Sequence, residues 1–130
     1  MKIFGIGTDI VNIKRMNNLL KKRGSKFKNR VFTNKEIFYC DKKKNSSSFF
    51  SKRFAAKEAF SKAMGTGIRK GVNLKDIEVL NDREGKPSIL LAKKLDKILK
   101  GKIKNNKYYI YLSLSDDKPW AQATVIITYK

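Results

Sequence analysis

The chain has 130 residues, 31 Lys and Arg against 11 Asp and Glu, a formal net charge of +20, no histidine and one cysteine. That length fits one domain, taken here as residues 1–130, and the 41% hydrophobic content is enough for a core. The missing histidine excludes Ser-His-Asp and Cys-His catalysis and His-ligated zinc, and the lone Cys40 excludes an internal disulfide, so a bound metal must take oxygen donors, as Mg²⁺ does.

Met1 to Gly5 leads straight into a strand-like segment over residues 3–11, with no basic, apolar and cleavage regions in sequence, so no signal peptide is expected. No apolar run approaches the roughly 20 residues that span a bilayer. One cysteine and no leader fit a reducing cytoplasm. Asn12 can cap a helix with Ile13, Met16, Leu19 and Leu20 on its apolar face, ended by Lys21-Lys22-Arg23-Gly24-Ser25. Thr33-Asn34-Lys35-Glu36 has capping-box spacing, which predicts a helix from Asn34 to Asp41. Lys42 to Ser47 reads as a polar loop. Ser48 is the expected cap of a long helix from Phe49 to Met64, stopped by Gly65-Thr66-Gly67.

Asp76 to Leu80 and Ser88 to Leu91 are strand candidates around the turn Asn81 to Pro87. Leu95, Ile98 and Leu99 give helical spacing within Lys93 to Lys100. Tyr108 to Leu114 alternates as a strand. Asp116-Asp117-Lys118-Pro119 turns the chain, and Trp120 to Tyr129 returns as the second arm of a hairpin. The outline is α+β, with helices in the first half and mostly antiparallel strands in the second.

Four features carry chemistry. Asp9 closes an apolar strand, where such a carboxylate is commonly a cap or turn residue, although Asn12 already supplies a cap. Gly5 and Gly7 lack the third glycine of a dinucleotide loop. Glu58 and Lys62 lie one helical turn apart, in the order of an ordinary surface ion pair, but Phe54, Ala55 and Ala59 around Glu58 reduce its solvation. Ser113 and Ser115 face one side of their strand, either for solubility or to meet a phosphate, and the Gly65-Thr66-Gly67 backbone N–H groups offer a second phosphate contact. The charge attracts polyanions in general, so a basic nucleic-acid-binding module, aided by the strand tyrosines, stands as the alternative reading.

Gly5-Ile6-Gly7-Thr8-Asp9-Ile10-Val11, Arg53 to Gly67, Asn81-Asp82-Arg83-Glu84-Gly85-Lys86-Pro87 and Ser113-Leu114-Ser115, in this order, resemble the holo-[acyl-carrier-protein] synthase type of 4′-phosphopantetheinyl transferase. The resemblance runs from Ile3 to about Ile127. It implies the family's α+β fold, with a mostly antiparallel sheet on a long helix. It also implies Mg²⁺-dependent transfer of the coenzyme A arm to a serine of an acidic acyl carrier protein, in a homotrimer with interfacial active sites. By the same resemblance Asp9 and Glu58 match the metal carboxylates, and Glu58 and Lys62 the catalytic pair. Lys62, Gly65, Ser113 and Ser115 match coenzyme A contacts, and Arg15, Leu19, Lys22, Arg23 and Lys26 the carrier-docking surface. No membrane and no nucleic acid is implied. Asp116 departs from the family, which commonly has His there; an acid would repel a coenzyme A phosphate unless a lysine such as Lys118 offsets it.

Overall fold

The computed structural model describes residues 1–65 and 73–130. Strand β1 (Lys2–Asn12) runs into helix α1 (Ile13–Val31), followed by α2 (Asn34–Asp41) and α3 (Ser46–Met64). A single 3₁₀ turn (Leu74–Asp76) leads to β2 (Ile77–Asn81), β3 (Pro87–Leu91), α4 (Lys93–Ile103), β4 (Tyr108–Asp117) and β5 (Trp120–Tyr129). The first sheet is antiparallel in the order β1-β5-β4; β2 and β3 form a separate antiparallel hairpin. This is the α+β arrangement expected.

Alternation places Ala121, Ala123, Val125 and Ile127 of β5 on the inner face, where they are buried with Ala55, Ala59, Phe60 and Ala63 of α3. Helix α3 is therefore the central element, covered on most sides. Its alanines repeat every fourth residue and form a smooth stripe facing β1. The strand answers with Gly5 and Gly7. A Cβ on Gly7 would lie 1.9 Å from the Ala59 carbonyl oxygen, and one on Gly5 1.9 Å from that of Ala63. The two glycines thus let strand and helix backbones touch, which brings Asp9 to the helix.

A second core gathers Met16, Val31, Phe32, Cys40 and Phe50 under α1 and α2. It explains the first departure from the sequence reading. The chain does break at Gly24 (φ 53°, ψ −131°), but helix resumes and continues to Val31, because Phe27 packs its ring on Phe32 and Phe54 and Val31 is buried.

Helix α2 has the expected bounds. The Thr33 hydroxyl accepts from Glu36 N, and the Glu36 carboxylate accepts from Thr33 N at 2.9 Å. Helix α3 starts earlier than expected, at Ser46, because Ser48 is buried inside the first turn rather than capping it. Strand β2 starts one residue late, since Asp76 folds back to accept from Asn73 N. Helix α4 runs on to Ile103, whose side chain is buried, and ends at Lys104 in the left-handed region. Strand β4 extends to Asp117, so the hairpin turn is only Lys118-Pro119.

Candidate active site

The buried contacts of α3 fix its rotation. Arg53 and Lys57 point inward: Arg53 reaches Asn81 and lies over the Tyr39 ring, and Lys57 ion-pairs with Glu36. Glu58 and Lys62 then point outward toward the C-terminal half of β1. Lys62 Nζ sits 3.1 Å from Asp9 Oδ1 and donates to the Thr8 carbonyl at 2.9 Å. The ammonium is thus held by Asp9 across the strand–helix contact, and not by Glu58 one turn before it. Burial pushes the Glu58 carboxyl up from its ordinary value; the Asp9 charge pushes it further, and Lys62 opposes both. Asp9 and Glu58 are therefore electrostatically coupled, although 48 residues lie between them in the chain.

Two clefts meet at Asp9. One, of about 340 Å³, is lined by Asp9, Asn12, Arg15, Leu19, Phe54 and Glu58, so it opens between α1 and α3. The other, of about 300 Å³, is lined by Thr8, Asp9, Ile10, Lys62 and Gln122, on the sheet face turned away from the core. Asn12 orients the first cleft: its side chain caps α1 by accepting from Arg15 N at 3.0 Å. A hydrogen bond from Ile13 N to Pro119 O ties that helix start to the β4–β5 turn.

Ser113 and Ser115 lie on the exposed face of β4, as the alternation predicts. Ser115 donates to Gln122 Oε1 at 3.3 Å, and Gln122 donates to Thr124. Ser115 therefore connects to the Lys62 cleft through Gln122. Sequence reasoning missed Gln122; the available signal was a polar residue alternating with buried Ala121 and Ala123 and standing opposite Ile10 and Ser115. Asp116 pairs instead with Lys52 of α3 at 3.5 Å, on the helix side of the sheet. Its charge is thus offset by a lysine, as expected, and that lysine is Lys52. Gly65 ends α3 with a left-handed φ of 82° and is exposed. Thr66 and Gly67, the rest of that phosphate-contact motif, lie outside the described residues.

The docking candidates divide into two groups. Arg15 and Leu19 line the Glu58 cleft. Lys22, Arg23 and Lys26 line a separate groove of about 380 Å³ with Phe27 and Arg30, around the break at Gly24. Arg30 was not anticipated, because that helix was expected to end before it.

Among the described residues no group of three or more acidic, His or Cys side chains gathers as a metal site. The pair Asp9 and Glu58 is a smaller donor set. Its chemistry still fits a hard divalent ion that takes its remaining ligands from substrate and water, because both groups are carboxylates and they line one cleft.

A strand carboxylate and a helical Glu-Lys pair thus meet between two clefts on an α+β frame, a set of charges that suits an anionic substrate. Residues 5–124 match the family model of the 4′-phosphopantetheinyl transferase superfamily, and the chain belongs to that family. It is 49% identical over 130 residues to the holo-[acyl-carrier-protein] synthase of Pelagibacter ubique, covering 100% of both chains. It is likewise 49% identical over 129 residues to that of Wolbachia pipientis, covering 96% of this chain and 97% of the relative. The crystal structure of the Neisseria meningitidis synthase superposes with a TM-score of 0.87 at 38% identity, covering 98% and 99% of the two chains. The Helicobacter pylori synthase in complex with coenzyme A superposes with a TM-score of 0.82 at 33% identity, covering 95% and 99%. The nucleic-acid alternative finds no support among these relatives.

Proposed function

We propose that this chain transfers the 4′-phosphopantetheine arm of coenzyme A to a serine of an apo acyl carrier protein, releasing adenosine 3′,5′-bisphosphate. The observation that carries this reading is Asp9 standing where two clefts meet, with Glu58 on one side and Lys62 on the other. Two substrates can reach one carboxylate from opposite directions. Coenzyme A fits the Lys62 and Gln122 side, where an ammonium and an amide line the cleft and Ser115 joins through Gln122, with Ser113 further along the same exposed strand face. The carrier fits the α1 side.

In the reaction the serine Oγ attacks the phosphorus that bears the pantetheine arm. The anhydride P–O bond breaks, and its electron pair leaves with the bisphosphate. Phosphoryl transfer depends mainly on positioning and charge neutralisation. Lys62 offsets charge on the leaving group. The Glu58 carboxylate, which lines the α1 cleft where the carrier serine would enter, takes the serine proton. Asp9 and Glu58 would hold Mg²⁺, which when bound neutralises the diphosphate and polarises the phosphorus.

The partners follow from charge and shape. Arg15, Lys22, Arg23 and Lys26, with Leu19 as an apolar contact, suit a small acidic carrier. On the sheet face away from the core, Ile6, Ile10, Tyr109 and Tyr111 are exposed together, which supports a homotrimer that covers this face and shares the coenzyme A cleft between neighbours. Among the described residues no helix is long and apolar enough to cross a membrane, and we place the enzyme in the cytoplasm. The test is mass spectrometry of an apo carrier incubated with coenzyme A, Mg²⁺ and the protein. One phosphopantetheine mass added per carrier is expected; no mass change with several bacterial carriers would overturn the reading.

A further inference from the structure

Lys57 is the residue immediately before Glu58, and its side chain is fully buried. Its ammonium donates to three acceptors: Glu36 Oε1 at 2.8 Å, the Leu74 carbonyl at 3.0 Å and the Ile77 carbonyl at 2.5 Å. All three of its protons are used. Both oxygens of Glu36 are engaged as well. Its carboxylate accepts from Lys57, from Thr33 N at 2.9 Å and from Val79 N at 2.9 Å. One ion pair therefore ties the first turn of α2, the 3₁₀ turn and β2 to the middle of α3.

A buried pair of this kind is a poor source of stability, because apolar residues of similar volume commonly do as well. It is a precise source of geometry, since each charge has its partners in fixed directions. The geometry matters next door. A helix with its side chains is about 10–12 Å across, so turning it by about 10° moves a side-chain tip by roughly 1 Å. A misplacement of that size can cost on the order of 100-fold in rate. The smooth alanine stripe facing Gly5 and Gly7 offers few knobs to resist such a turn.

We infer that Lys57, through Glu36 and the Leu74 and Ile77 carbonyls, is a positioning residue that sets the rotation of α3 and so holds Glu58 and Lys62 at Asp9. The inference rests on the transferase reading above. The test is the double variant Lys57→Met/Glu36→Gln, which removes both charges together and leaves no buried ion unpaired. Its melting temperature is measured first, and then kcat and KM for both substrates at a temperature where it is fully folded. The expected result is a fall in kcat of tenfold or more, with KM for the carrier changed less than threefold, because neither residue lines the Arg15–Leu19 cleft. A folded double variant with kcat within twofold of the parent overturns the inference. If the double variant does not fold, Glu36→Gln alone carries the test under the same criteria, since it keeps the two backbone acceptors of Lys57. If neither folds, the pair is a stability element and the inference fails. A parent that modifies no carrier would sink the transferase reading itself, whereas an active parent with an undamaged double variant sinks this inference alone.

Discussion

Gly7→Ala probes the contact that brings the two carboxylates together. The added Cβ would meet the Ala59 carbonyl oxygen at 1.9 Å and Ala63 N at 2.8 Å. Both are backbone atoms of a buried helix, so neither can swing aside. Reaching an ordinary contact of 3.4 Å requires α3 to lift by about 1.5 Å (3.4 − 1.9). Overpacking typically costs about 1–3 kcal/mol, and rigid backbone on both sides places this site at or above the upper end. For a chain of this size about 3 kcal/mol corresponds to a drop in Tm of roughly 10 °C. The same lift separates Lys62 and Glu58 from Asp9, so the rate of carrier modification should fall about 100-fold even below the new Tm. Thermal melting followed by carrier modification at low temperature measures both. Gly101→Ala is the control: nothing lies within 4 Å of its added Cβ on the exposed face of α4, and it should raise Tm slightly. A Gly7→Ala protein with Tm within 2 °C of the parent (a threshold of roughly 0.5 kcal/mol) would refute the close-approach reasoning.

Two further outcomes follow from the site and the core. Arg15→Glu should raise KM for the acidic carrier by tenfold or more while KM for coenzyme A stays nearly constant, since Arg15 lines the α1 cleft and not the Lys62 cleft; equal losses for both ligands would contradict the assignment of sides. Burial pushes the Cys40 thiol from 9.0 up to about 11. The native chain therefore keeps a proton that the unfolded chain releases between those values, and stability should fall as pH rises through that window, by up to roughly 2–3 kcal/mol. Urea midpoints should show this loss in the parent and a shallower one in Cys40→Ala.

Local chemistry was legible, and tertiary contact was not. Thr33 and Glu36 satisfy each other within four residues, so α2 could be bounded from sequence alone. The break at Gly24 was equally visible, but whether helix resumes depended on Phe27 and Val31 finding the second core. Ser48 looks like a cap and is instead buried. The family motifs pointed to the candidate site, and Asp9, Glu58 and Lys62 do lie close together. The reason for Gly5 and Gly7 was hidden, because it lies in the Ala59 and Ala63 carbonyls more than 50 residues away. Gln122 was hidden for a similar reason: its role comes from cross-strand register with Ser115 and Ile10. Glu36 and Lys57 each look locally ordinary, and only the fold makes them a pair.

In the proposed reaction Asp9 and Glu58 would share one divalent cation beside coenzyme A. Calorimetric titration of Mg²⁺ into the coenzyme A complex tests it most directly, for the parent, Asp9→Asn and Glu58→Gln. Each substitution should weaken Mg²⁺ binding by tenfold or more without lowering Tm by more than a few degrees. Unchanged Mg²⁺ affinity in either folded variant would rule out a metal shared by these two carboxylates.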